Sequence, residues 1–299
     1  MPAALGRPPL KITLAGLSAA ALAFPANALA SAFAPESGGS PNADKINTLY
    51  WIIFVLGALV FVGVMGALLY SIIKFRARKG AVAAQIRGNT RLEIGWTVGA
   101  AVILVVLAVV TFAMLPGIEN PPNSDASGYQ AVHGGLLYAT GPTKKLPPNG
   151  KSLNICVNGQ QYIWRYTYAK NCQNAPLNSV FSYEEMVVPT GTTVTLDINA
   201  QDVAHSWWIP KLGGKFDAVP GYTNHTWFKI PAKLAGAVFQ GQCAELCGRN
   251  HANMRAQVHA LTPTQFEAWL ASKRQQIQQA DAAAAVSRRR LQANPTGNP

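Results

Sequence analysis

Two apolar runs constrain this chain more than any other feature. Residues 49–73 and 94–115 contain no charged side chain. Each reaches the ~20 residues that a helix needs to cross the hydrocarbon core of a bilayer. Between them lie Lys74, Arg76, Arg78, Lys79, Arg87 and Arg91, with no acid before Glu93. A short loop so rich in cations stays on the cytoplasmic side. Residues 49–115 therefore read as a transmembrane hairpin with both outer ends on the far side. Trp51 and Trp96 sit near the ends of the runs, where interfacial aromatics are expected. Everything after Pro116 is then extracytoplasmic.

The N-terminus agrees with that direction. Residues 1–30 read as a secretory signal: Arg7 and Lys11, the apolar run Ile12 to Phe24, then small-x-small cleavage options around Ala26, Ala28 and Ala30. Residues 31–48 read as a polar linker. The expected location is a membrane, with the remaining chain on its extracytoplasmic side. Charged residues make up 13% of the chain, against about 25% in soluble domains. The net charge of +12 does not mark a nucleic-acid binder, because the cations flank the apolar runs or sit in the tail.

Past the hairpin the pattern changes. Residues 116–150 are rich in Pro, Gly, Asn and Ser and read as a connector. Residues 151–262 carry short β-branched and aromatic runs, Ser152–Val157, Tyr162–Tyr168, Glu185–Val188, Thr193–Ile198, Thr226–Ile230 and Ala237–Gln240. Turn clusters separate them, among them Asn158-Gly159 and Pro220-Gly221. Short strands punctuated in this way predict a β-sandwich or barrel. Residues 263–280 predict a helix capped by Thr262 or Thr264, with Phe266, Trp269 and Leu270 as its apolar stripe. Residues 281–299, with Arg288-Arg289-Arg290, read as a disordered tail.

One loop in the β region carries the chemistry. Cys243, Cys247 and His251 fall four apart, Met254 follows, and His205 lies upstream in Asp202-Val203-Ala204-His205-Ser206-Trp207. Thiolates and a thioether favour Cu(I), and imidazole suits copper in either state. One Cys, two His and a Met would make a mononuclear blue site. A second thiolate can bridge, which points to two copper ions. A Cys243–Cys247 disulfide and a zinc site are the rivals. Gly241, Gly248 and Asn250 argue against a helical face. Cys156 and Cys172 have no histidine beside them, and read as a structural disulfide or as two buried thiols. Glu93, at the start of the second run, reads either as an interfacial carboxylate or as a functional group.

Residues 45–272, with Gly241-Gln-Cys-Ala-Glu-Leu-Cys-Gly-Arg-Asn-His-Ala-Asn-Met254 and His205-Ser206-Trp207, resemble subunit II of the haem–copper cytochrome c oxidases. The resemblance implies a membrane-anchored all-β protein: a cupredoxin-like Greek-key sandwich behind the hairpin. It implies a binuclear CuA centre held by His205, Cys243, Cys247, His251, Met254 and the Glu245 carbonyl. The Glu245 carboxylate would hold a Mg or Mn ion shared with subunit I. Glu93, in a Glu-x-x-Trp context with Trp96, would stand at the mouth of a proton path. Asp202 would lie near the docking surface for cytochrome c.

Subunits I and III are the implied partners. The implied reaction passes electrons from cytochrome c to haem in subunit I, where oxygen becomes water and protons are pumped. The chain is not catalytic alone. Where the family usually has Gln-Trp-Tyr-Trp, this chain has Gln161-Tyr162-Ile163-Trp164, so Tyr162 or Trp164 would receive the electron. No Cys-x-x-Cys-His is present, so no covalent haem is expected. A CuA nitric oxide reductase subunit, a tethered copper chaperone or sensor, and a purely structural β domain are the competing readings.

Overall fold

The computed structural model describes residues 33–77, 80, 82, 84–129, 145–175 and 178–293. The expected signal segment lies outside them. Helix α1 spans Pro41–Lys74 and helix α2 spans Thr90–Glu119. The two pack against each other as a hairpin, and almost all of their apolar side chains face outward. Such a surface needs lipid or a partner around it.

Both helices exceed their apolar runs. Residues 41–48, expected in a linker, are helical because Pro41 stands at the first turn, where a missing N–H costs nothing. At the start of α2, the Asn89 side chain accepts from the Leu92 N–H at 3.2 Å. Glu93 Oε1 accepts in return from the Asn89 N–H at 3.2 Å. This reciprocal cap satisfies donors that a helix start leaves open. At the other end Pro116 sits inside the last turn and its carbonyl still accepts from Asn120.

The β region forms two five-stranded sheets. One has the order β3-β2-β1-β5-β8, from strands Phe181–Tyr183, Ile163–Tyr168, Leu153–Gln160, Thr193–Ala200 and Asn224–Lys229. The other has the order β4-β10-β9-β6-β7, from Glu185–Pro189, Arg255–Leu261, Val238–Cys243, His205–Trp208 and Phe216–Ala218. The pairs β1/β5 and β4/β10 are parallel, and the rest are antiparallel. Leu153, Ile155 and Val157 of β1, Trp164, Tyr166 and Tyr168 of β2, and Val194, Leu196 and Ile198 of β5 are buried. They meet Met186, Val188, Trp207, Val258 and Ala260 of the facing sheet in one core. This is the predicted sandwich.

Asn158-Gly159 is not a turn. Both residues lie inside β1, and the chain reverses at Gln161-Tyr162. Gly159 is there for space: a Cβ would stand 3.0 Å from the His205 ring and 3.1 Å from Trp164. Cys156 and Cys172 are joined as a disulfide, with their Cα atoms 5.6 Å apart. The bond ties β1 to the segment after β2.

Helix α3 spans Pro263–Ala293, thirteen residues beyond the expected end, so residues 281–293 are helix rather than disordered tail. Ala282–Ala285 are strong helix formers, and no Gly or Pro interrupts before Pro295. Thr262 and Gln265 cap each other at its start. Phe266 and Leu270 are buried, and Phe266 meets Tyr129 and Tyr168 edge-on or tilted. The later turns stand free of the domain.

The domain is fastened to the hairpin at Trp227 on β8. Its indole N–H donates to the Glu119 carbonyl at the end of α2, at 3.0 Å. Its own carbonyl accepts from the Asn42 side chain at the start of α1, at 2.9 Å. Beside it, Lys229 N–H donates to the Ser40 hydroxyl at 3.1 Å.

Candidate metal centre

Three short segments meet at one pole of the sandwich. His205 opens β6, Cys243 closes the adjacent β9, and the loop from 244 to 254 returns into β10. Sheet pairing fixes their relation: Trp207 pairs with Cys243, and Cys243 N–H donates to the Met254 carbonyl at 2.9 Å. Ala244 N–H donates to the Ser206 carbonyl at 2.9 Å. Gly248, at φ 128, lets the loop turn back between Cys247 and His251.

The donor atoms converge. His205 Nδ1 lies 3.8 Å from Cys243 Sγ, and the two Sγ atoms lie 3.8 Å apart. Cys247 Sγ stands 3.5 Å from His251 Nδ1 and 3.9 Å from Met254 Sδ. The Glu245 carbonyl oxygen is 3.3 Å from Cys243 Sγ. His205, Cys243, Cys247 and Met254 are buried and His251 is half-buried.

Both cysteines are free, at nearly twice the length of a disulfide bond of about 2.05 Å. The thioether against Cys247 suits copper better than zinc. The donor set therefore fits a soft metal such as copper. The described metal-ligand cluster comprises His205, Cys243 and Cys247, with ligand atoms within 4.8 Å of one another.

The surroundings tune these groups. Burial and the neighbouring Cys243 push the Cys247 thiol up to about 11. The metal-free Cys247 thiol is thus protonated at neutral pH, and metal uptake must displace its proton. His205 Nε2 lies 2.9 Å from Asp202 Oδ1. A carboxylate can only accept, so Nε2 carries the proton and Nδ1 presents its lone pair to the site. Partial burial opposes the Asp202 charge. Hydrogen bonds from Gln161 N–H, His205 and Val203 N–H outweigh it and hold the carboxyl below the usual range.

The other expected residues separate. Tyr162 is partly exposed, and its phenol oxygen lies over Gly248, 2.6 Å from where a Cβ there would be. Trp164 is fully buried, so a docked protein cannot touch it. Its ring stands 5.9 Å from the His205 ring, edge to face. The Asp202 carboxylate accepts from Gln161, Val203 and His205, and the residue is exposed at the surface. The Glu245 side chain is exposed beside the ligand loop. Glu93 is remote, at the far end of α2. Gln161, in the sequence only the start of the aromatic stretch, donates its side chain to the Cys247 carbonyl at 2.7 Å.

A two-helix membrane hairpin carrying a mixed ten-stranded sandwich, with soft ligands at one pole, defines a membrane-anchored cupredoxin-like protein. The profile described as cytochrome c oxidase subunit II, periplasmic domain, matches residues 153–261, and the transmembrane-domain profile matches residues 28–114. Cytochrome c oxidase subunit 2 of Alkalihalophilus pseudofirmus is 33% identical over 233 residues, covering 77% of this chain and 59% of the relative. The probable subunit 2 of Rickettsia bellii is 31% identical over 249 residues, covering 78% of this chain and 81% of the relative. The crystal structure of the periplasmic domain of subunit II from Bradyrhizobium japonicum is 30% identical. It covers 42% of this chain and 95% of its own, with a TM-score of 0.37. The chain belongs to the cytochrome c oxidase subunit II family, which supplies the CuA subunit of haem–copper oxidases.

Proposed function

We propose that this chain is the electron-accepting subunit of a bacterial haem–copper oxidase. It takes electrons from cytochrome c and passes them to haem in subunit I, where oxygen is reduced to water with proton pumping. The carrying observation is the convergence of five soft or borderline side chains from three segments. His205, Cys243, Cys247, His251, Met254 and the Glu245 carbonyl would hold two copper ions. When bound, the pair supplies a one-electron store shared across two sulfurs.

The chain's own residues do the rest. Burial of Cys243, Cys247 and Met254 keeps water from the sulfurs. Asp202 fixes the His205 tautomer. Paired strands hold the loops so that little moves when charge arrives. Tyr162, partly exposed over Gly248, would meet the donor; Trp164 lies behind it against His205. The exposed Glu245 carboxylate would complete a Mg or Mn site with subunit I. Glu93, besides capping α2, would stand at the mouth of a proton path on the cytoplasmic side. Subunit III would complete the assembly, in a bacterial inner membrane with the sandwich in the periplasm.

His205→Asn and Cys247→Ser in the full chain, loaded with copper, are expected to abolish the mixed-valence EPR signal. Two retained coppers and full donor oxidation in either variant would defeat the reading.

A further inference from the structure

The β1–β2 turn touches the metal site from the solvent side, and one residue of it reaches both ligand segments. Gln161 N–H donates to Asp202 Oδ2 at 2.6 Å, and Asp202 Oδ1 in turn holds His205 Nε2 at 2.9 Å. The Gln161 side chain donates to the Cys247 carbonyl at 2.7 Å. Gln161 is itself exposed. We propose that Gln161 is a positioning residue: a strap that locks the His205 segment and the Cys247 loop to each other. This rests on the copper reading above only for what the strap is for; the strap itself is a property of the metal-free chain.

The physical case is specific. The segment before β6 and the loop between β9 and β10 are joined by strand pairing at Trp207–Cys243 and Trp208–Gln242, on the β6–β9 edge. Nothing in that pairing restrains Cys247, which lies four residues past the end of β9. Its loop backbone is irregular, and a single hydrogen bond to a loop carbonyl is worth about tenfold in an opening equilibrium. Gln161 supplies that bond from the opposite sheet, and its backbone fixes the carboxylate that orients His205. Both ligand segments are therefore referred to one residue of β1–β2, whose partner Tyr162 packs on Gly248. The adjacent Gln160 offers a control, because its side chain bonds Gln201 and makes no bond to the Cys247 loop.

The test uses the full-length chain in detergent, as wild type, Gln161→Leu and Gln160→Ala. The leucine keeps the bulk and the backbone N–H but removes the side-chain donor. In the copper-loaded protein, Gln161→Leu is expected to release copper to a chelator about tenfold faster and to shift the EPR hyperfine pattern. Gln160→Ala should match wild type. In the metal-free protein, iodoacetamide should modify Cys247 about tenfold faster in Gln161→Leu, read by peptide mapping. Wild-type rates and spectrum in Gln161→Leu would overturn the strap. Should wild type bind no copper, the copper reading falls, and the alkylation rates alone still decide the strap. Equal rates in all three proteins overturn it, and a faster rate confined to Gln161→Leu supports it.

Discussion

Asp202 shows how one exposed side chain can also hold a buried histidine. The carboxylate accepts from His205, Gln161 and Val203, and these bonds keep it ionised. Groups that orient a metal-ligating histidine typically cost 10–100-fold in metal affinity when removed. Asp202→Ala is therefore expected to weaken copper binding by about that factor. It should also free the His205 ring, seen as a changed EPR hyperfine pattern and measured beside a copper titration. An effect confined to donor oxidation, with copper affinity unchanged, would leave Asp202 a docking role alone.

At the scale of the element, α3 divides in two. Phe266 and Leu270 fill the core beneath Tyr129 and Tyr168, whereas residues beyond Ile277 are mostly exposed. Phe266→Ala is expected to cost about 3–5 kcal/mol, a fall on the order of 10 °C in Tm. Ending the chain after Ala280 should change Tm by only about 1–2 °C, since exposed residues contribute little. Thermal unfolding of the detergent-solubilised chain separates the two.

The same elements show what the sequence made legible. The hairpin was legible because a bilayer demands length and apolarity, both local properties. The ligands were legible because Cys243, Cys247, His251 and Met254 sit in one spaced motif. Gln161 was not, because its bond to Cys247 joins residues 86 apart and depends on how two sheets stack. Gly159 misleads for a related reason: Asn-Gly signals a turn locally, while the glycine answers to the His205 ring from another strand. The helical end of α3 was hidden by an alanine-rich composition that suits a helix and a loose tail alike.

For the whole molecule, two solution properties follow. Burial pushes the Tyr129, Tyr166 and Tyr168 phenols up, Tyr129 to about 12 with Glu267 adding to the effect. Their unfolded value is near 10.0. The fold then retains protons that the unfolded chain releases, so stability is full below pH 10 and declines as pH rises through 12 and beyond. Denaturant midpoints followed against pH, with phenolate absorbance in parallel, check this. The second property concerns association. Basic residues outnumber acidic ones across the sandwich, so long-range attraction of a basic cytochrome is small. Raising ionic strength to 0.15 M should slow donor oxidation by less than about tenfold, where strongly steered pairs lose up to about 1,000-fold.

The Trp227 clasp has a consequence in time. Its partners, Asn42 and Glu119, precede it by 185 and 108 residues. At about 5–20 residues per second, the ribosome finishes α2 roughly 5–20 s before it makes the tryptophan that fastens both helix ends. The hairpin must therefore enter the bilayer with its periplasmic ends unclasped. Only after the following chain has been exported and β8 has paired can the clasp between helices and sandwich close. Trp227 thus marks the moment in biogenesis when the metal site acquires a fixed height above the membrane.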